Sequence, residues 1–137
     1  MKKRVLFICT HNSARSQMAE AFLKELFPDR FEAFSAGTEP GVLNPYVIKA
    51  MKEIGIDISH NTTKSVKEFI KQKFDYIITV CDRAKETCPF FPGGLNYIHQ
   101  NFEDPSTFKG SNEEIMVKVR KVRDEIKVWV GETFKQI

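Results

Sequence analysis

An α/β fold, a small four-stranded parallel sheet doubly wound with helices on both faces, follows from three features of this sequence. Strand-like apolar runs at residues 4–8, 31–35, 75–80 and 96–99 alternate with segments of helical period, the order expected of parallel strands joined by crossover helices. Two of the helical segments carry their own start or stop residues. The length, 137 residues, is that of one domain and suffices to bury roughly two thirds of the surface of the unfolded chain. Residues 1–137 are therefore read as a single domain.

The elements follow in order. Val5-Leu6-Phe7-Ile8 makes the first strand, and a polar loop from Cys9 leads into a helix-like segment over residues 16–26. After the second strand, Asn44 is an N-cap, Pro45 suits the first helical position, Val47, Ile48, Met51 and Ile54 form the apolar stripe, and Gly55 is the stop. A shorter helix is expected after Ser65, burying Val66, Phe69 and Ile70. Pro89, Pro92, Gly93 and Gly94 mark a loop between the third and fourth strands. The last helix opens on a capping box, Ser111 with Glu114, and carries Ile115, Val119, Val122, Ile126, Trp129 and Ile137 at helical spacing.

Composition narrows the partners. Lys and Arg number 21 against 18 Asp and Glu, too even a balance to recruit nucleic acid by its field. The basic start Lys2-Lys3-Arg4 is followed by an apolar run that ends at Cys9, short of a secretory leader, and no stretch is long enough to span a membrane. Three cysteines would leave one unpaired in a secreted domain, whereas a reducing compartment leaves all of them available for chemistry. A cytoplasmic monomer without nucleic-acid or membrane partners is expected.

The chemistry gathers in one loop. Cys9-Thr10-His11-Asn12-Ser13-Ala14-Arg15, followed by Ser16, runs from a strand end to a helix start, where backbone N–H groups and the helix dipole converge on a tetrahedral oxyanion. Arg15 adds a planar fork matched to two anion oxygens. A thiol in such a field ionises more readily than free cysteine, whose pKa of about 8.5 falls to roughly 3.5–7.5 in comparable sites, so Cys9 is expected to be a thiolate at neutral pH. Ser16 and Thr10 carry hydroxyls suited to bonding that thiolate, and Asn12 is suited to a left-handed backbone. Ligands of open parallel sheets sit beyond the carboxyl ends of the strands. Cys9, Cys81 and Asp104 each follow a predicted strand and should share that edge.

Cys9-x5-Arg15-Ser16 at the end of the first strand, together with Asp104-Pro105, resembles the low-molecular-weight protein tyrosine phosphatase family. The added pair Cys81 and Cys88, in Val80-Cys81-Asp82-Arg83-Ala84-Lys85-Glu86-Thr87-Cys88-Pro89, resembles the thioredoxin-coupled arsenate reductases built on that fold. Ser16-Gln17-Met18-Ala19-Glu20, Ser35-Ala36-Gly37, Asn44-Pro45, Ile56-Asp57-Ile58-Ser59 and residues 122–127 are also similar to that family.

The resemblance implies that arsenate, or phosphate or sulfate in the same place, settles among the N–H groups of residues 10–15, with Cys9 as nucleophile and Asp104 as general acid. It further implies that Cys81 attacks Cys9, releasing arsenite and leaving a Cys9–Cys81 disulfide, which Cys88 converts to Cys81–Cys88. No cofactor is expected to be bound. Reduced thioredoxin is the implied electron donor and glutaredoxin the alternative. Seven positions on an intact helix rise roughly 10 Å, while a disulfide needs Cα atoms within about 7 Å, so residues 82–94 are expected to change conformation on oxidation.

Other readings stand beside these. Asp104 before Pro105 also suits a turn initiator. Cys81 and Cys88 are too far apart in sequence for the usual zinc spacing, and no metal is expected. His11 is expected to point out of the anion loop, and His60 and His99 have no motif around them. Glu20, Ser35 and Asn12 resemble part of a potassium site, but Lys64 stands where an Asp would complete it, and its ammonium is expected to fill that space. The competing functions are phosphomonoester hydrolysis through a phosphocysteine, which needs neither Cys81 nor Cys88, and a thiol-based redox sensor or oxyanion-binding module, which does not need Asp104.

Overall fold

The computed structural model describes residues 1–82 and 91–137. The expected α/β architecture is present: strands β1 (Lys3–Cys9), β2 (Phe31–Gly37), β3 (Phe74–Thr79) and β4 (Gly94–His99) form the sheet, with helix α1 (Arg15–Leu26) after β1, α2 (Pro45–Glu53) after β2 and α3 (Asn112–Lys135) after β4. All strand pairs are parallel, in the order β2-β1-β3-β4. The chain therefore leaves β1 on one side for β2 and returns on the other for β3. That reversal opens a crevice beyond the carboxyl ends of β1 and β3, where open α/β sheets hold their ligands.

β1 is central, and Val5, Leu6, Phe7 and Ile8 are wholly buried, as required of a strand covered on both faces. Phe134 of α3 meets Phe7, Phe31, Tyr76 and Trp129 edge to face on one side of the sheet, and α1 packs beside it. The other side carries a second aromatic layer, Phe34, Phe69, Phe74 and Phe91, in the same edge-on geometry. Arg4 lies over Phe34 and Phe74 at its rim.

Helix α2 has the punctuation its sequence predicts. The Asn44 side chain accepts from the N–H groups of Tyr46 (2.9 Å) and Val47 (3.3 Å), and Pro45 occupies the first turn. At the other end Gly55 has φ +83°. Its N–H donates to Lys52 O and that of Ile56 to Met51 O, both at 3.0 Å, the paired bonds of a Schellman stop. Ser111 and Glu114 form the expected reciprocal cap on α3.

Two expectations need correction. After Ser65 there is a single 3-10 turn, Val66–Glu68, and of the three apolar residues only Phe69 is buried, while Ile70 is exposed. Ser65 is bridged to Gly37 at the end of β2, and the chain must re-enter the sheet at Phe74, which leaves too little length for a helix. In α3 the stripe contains Met116, Val130 and Phe134 as well. Trp129 is half-buried at its edge, and Ile137 lies beyond the helix end.

Candidate active site

Cys9 is the last residue of β1, and its side chain is 2% exposed. The loop after it is held open as a cradle by the segment beyond β2. The carbonyls of Cys9, Thr10, His11 and Ser13 accept from the N–H groups of Thr38 (3.2 Å), Glu39 (2.8 Å), Gly41 (3.0 Å) and Asn44 (2.9 Å). With those carbonyls engaged outward, the loop is committed to presenting N–H groups inward, and the N–H of Asn12 points at Cys9 Sγ from 3.2 Å. Such close backbone approach needs a glycine: a Cβ on Gly37 would lie 2.7 Å from Thr10 O and 2.8 Å from Asn12 N.

Asn12 is the hinge of the loop. It adopts φ +53° while fully buried, a conformation that Asn tolerates better than most residues. Its side-chain oxygen accepts from Gln17 Nε2 (3.1 Å) and from the Lys64 N–H (3.0 Å), and its amide donates to Ser16 Oγ at 2.7 Å. Ser16 Oγ in turn lies 2.9 Å from Cys9 Sγ. Ser16 accepts from Asn12 through one lone pair and keeps its hydroxyl hydrogen to offer the sulfur when the thiol ionises. Gln17 completes the chain: Nε2 also donates to Thr62 O (3.0 Å) and Oε1 accepts from Asn61 (3.1 Å). The burial of Gln17 in the first turn of α1 is not legible in the sequence, since helical periodicity does not distinguish a buried network from a solvated face.

Helix α1 begins at Arg15 behind Ala14, which has no side-chain oxygen with which to cap it, so its leading N–H groups remain available to an anion. Arg15 is 7% exposed. Nη1 donates to Phe102 O at 3.0 Å and Nη2 faces Asp104 Oδ2 at 3.4 Å. Its Nε is buried with no hydrogen-bond partner among the described residues, a costly state for a donor unless a ligand supplies an acceptor.

Asp104 combines the two roles weighed for it. Oδ1 accepts from the Ser106 N–H at 2.9 Å and so caps the 3-10 turn Pro105–Thr107, while Oδ2 faces Arg15. Cys9, Cys81 and Asp104 thus lie at one edge of the sheet, as their positions after the strands require. Ile8 pairs with Thr79, which aligns Thr10 with Cys81, and Thr10 Oγ1 lies 3.4 Å from Cys81 Sγ. Both cysteines are buried thiols. Cys88, with the other residues of 83–90, lies outside the described residues, as does most of the segment expected to rearrange.

Three expectations about the cradle are revised. Burial pushes the Cys9 thiol above its ordinary pKa; Ser16 and Arg15 pull it down, Cys81 pushes it further up, and the balance is upward. The sequence shows the helix start and the guanidinium but not how fully the loop encloses the sulfur. Thr10 Oγ1 meets Cys81 Sγ rather than Cys9 Sγ. Lys64 does not pair with Glu20: its ammonium donates to Thr62 O at 3.0 Å, while Glu20 accepts from Lys24 Nζ (2.6 Å) and from the Ser35 hydroxyl. Lys24 lies one turn along α1 from Glu20, a spacing legible in the sequence.

His11 turns away from the sulfur, with Nδ1 2.8 Å from Glu39 O. Ser13 takes part through its carbonyl, and Ala14 is buried beneath the helix start. No helix among the described residues is long and apolar enough to cross a membrane.

A strand-to-helix oxyanion cradle with a cysteine at its base, an arginine at its end and an aspartate across from them defines the class. The family model for low molecular weight phosphotyrosine protein phosphatases matches residues 4–137, and the chain belongs to that family. Within it, an arsenate reductase from Halalkalibacterium halodurans is 44% identical over 125 residues, covering 91% of this chain and 90% of that protein. The solved structure of an arsenate reductase in a phosphate-binding state aligns with a TM-score of 0.79 at 31% identity, over 100% of this chain and 99% of the other. A thioredoxin-dependent arsenate reductase from Corynebacterium glutamicum aligns with a TM-score of 0.64 at 29% identity, over 96% of this chain and 63% of the other.

Proposed function

We propose that this protein is an arsenate reductase of arsenical detoxification, working through Cys9, Cys81 and Cys88 and regenerated by thioredoxin in the cytoplasm. The observation that carries the reading is the placement of a second buried thiol, Cys81, beside the cradle of the first, linked to it through Thr10. The 44% identity to an arsenate reductase over nine tenths of the chain supports it independently.

The oxyanion accepts hydrogen bonds from the loop N–H groups and the Arg15 guanidinium, whose Nε gains an acceptor. Burial disfavours the Cys9 thiolate, and on binding the thiol proton passes to an arsenate oxygen. The sulfur then attacks arsenic, the S–As bond forming as an As–O bond breaks, and Asp104, having taken up a proton from solvent, delivers it to the departing oxygen, which leaves as water. Cys81 as thiolate next attacks Cys9 sulfur. An S–S bond forms, the S–As bond breaks, arsenic takes the electron pair and passes from As(V) to As(III), and arsenite departs. Cys88 attacks Cys81, freeing Cys9, and the thioredoxin dithiol reduces the Cys81–Cys88 disulfide.

Phosphoester hydrolysis shares the cradle, Arg15 and Asp104, and a residual activity on aryl phosphates is expected. The deciding experiment compares arsenate-dependent NADPH consumption, with thioredoxin and thioredoxin reductase present, against hydrolysis of an aryl phosphate, for the parent and Cys81→Ser. Loss of the first activity and retention of the second in Cys81→Ser is the expected result. Arsenate turnover that survives the substitution would overturn the relay.

A further inference from the structure

Cys81 is clamped from both sides in sequence. Two residues before it, Thr79 pairs in register with His99 across β3 and β4, and Thr79 Oγ1 lies 2.7 Å from His99 Nδ1. One residue after it, the Asp82 carboxylate lies 2.7 Å from His99 Nε2, and the Asp82 N–H donates to Asn101 Oδ1 at 3.1 Å. Each ring nitrogen of one imidazole is therefore committed, one to each flank of Cys81. The Nε2–H tautomer satisfies both contacts at once, donating to Asp82 and accepting from the Thr79 hydroxyl. Backbone bonds continue the alignment, with Gln100 N–H donating to Thr79 O and Phe102 N–H to Val80 O.

We propose that His99 is a positioning residue for the second thiol: through Thr79 and Asp82 it holds residues 79–82 against β4 and keeps Cys81 aimed at Cys9. The inference rests on the relay reading above. Among the described residues the hydrogen bonds of these three side chains run to one another and not to the cradle, and neither sequence periodicity nor motif sets His99 apart. Asp82 is largely exposed while His99 is mostly covered, so the clamp has one open jaw, and losing it is worth the modest factor of a partly solvated pair.

The test is carried out on the full chain with Asp82→Ala, Asp82→Asn and His99→Gln, the last keeping an N–H near the Nε2 position. Alkylation of Cys81 and Cys9 by iodoacetamide is followed peptide by peptide in the reduced protein without arsenate. Cys81 should react about fivefold faster in Asp82→Ala, with smaller increases in the other two and Cys9 unchanged. In a single turnover without thioredoxin, the first equivalent of arsenite should appear about fivefold more slowly in Asp82→Ala at saturating arsenate, with its half-saturation concentration unchanged. Cys81 labelling that matches the parent in all three variants, or faster labelling with an unchanged rate of arsenite release, would overturn the proposal. If the relay reading itself is wrong, the parent produces no arsenite, and the labelling result still decides whether the clamp exists.

Discussion

Thr10 Oγ1 lies 3.4 Å from Cys81 Sγ, joining the loop after β1 to the residue two positions beyond β3. The contact follows from the parallel register of the two strands, which sets Ile8 beside Thr79 and so carries Thr10 to the level of Cys81. Sulfur and hydroxyl meet inside the protein, where a weak hydrogen bond is not in competition with water.

Replacing Thr10 by Val keeps the shape and removes the hydroxyl. The attack of Cys81 on Cys9 should slow about fivefold, the factor for one modest hydrogen bond, and Thr10→Ser should restore it. Single-turnover arsenite release measures the step, and equal rates in Val and parent would show that the contact is passive.

The pH dependence of Cys9 follows from its surroundings. Burial raises the thiol, so the reactive thiolate fraction grows only as pH rises past the ordinary cysteine value, and alkylation of Cys9 should still be climbing in that range. Ser16→Ala removes the largest opposing influence, the hydrogen bond from the hydroxyl to sulfur, and should move the whole profile further toward alkaline pH. A profile that shifts toward acid in Ser16→Ala would contradict the assignment of Ser16 as donor to the sulfur.

Asp104 can be divided between its two oxygens. Asn caps turns as well as Asp, so Asp104→Asn should preserve the cap to Ser106 and leave the thermal midpoint nearly unchanged. Without a proton to give, turnover should fall roughly 10²–10⁴-fold. Thermal unfolding and steady-state kinetics on the same preparation separate structure from chemistry.

Gly37→Ala should disturb the cradle without touching a reactive group. The added methyl would meet the backbone of Thr10, His11 and Asn12 at under 3 Å, and backbone cannot step aside as a side chain can. A loss of roughly 1–3 kcal/mol in stability is expected, together with weaker protection of Cys9 from alkylation by phosphate. Chemical denaturation gives the first quantity and labelling with added phosphate the second.

Glu53 ties α2 to α3 through Arg120 (2.8 Å) and Arg123 (3.1 Å). The Arg120 hydrogen bond leads in holding its carboxyl below the ordinary value, with Arg123 assisting. A depressed folded-state pKa stabilises the fold above the ordinary glutamate pKa, and that contribution is lost as pH falls through the depressed one. Glu53→Gln should therefore be less stable than the parent near neutrality, and the two should converge in acid. Denaturation midpoints across that pH range test the sign.

The order of elements, the caps of α2 and α3 and the strand-to-helix cradle were legible because each depends on residues a few positions apart. Asn44 meets the amides of the next turn, Ser111 and Glu114 satisfy each other, and Cys9 and Arg15 are joined by one loop. Interactions that failed to show, or showed wrongly, join distant segments. Thr10 turned to Cys81 through the β1–β3 register. Gln17 vanished into a network with Asn12, Asn61 and Thr62. The thiol of Cys9 was raised rather than lowered because loop and helix close completely over it.

His99 makes the division plain. Its neighbours in sequence carry no motif, yet the register of β4 against β3 sets it beside Thr79 and under Asp82, where one ring spans both sides of Cys81. Local chemistry along the chain was enough to specify which helices start where and which thiol heads the cradle. Which side chains share a hydrogen bond, and how far each is removed from water, became definite once strands distant in sequence had locked their alignment, because hydrogen bonding and desolvation act over ångströms of space and not along the chain.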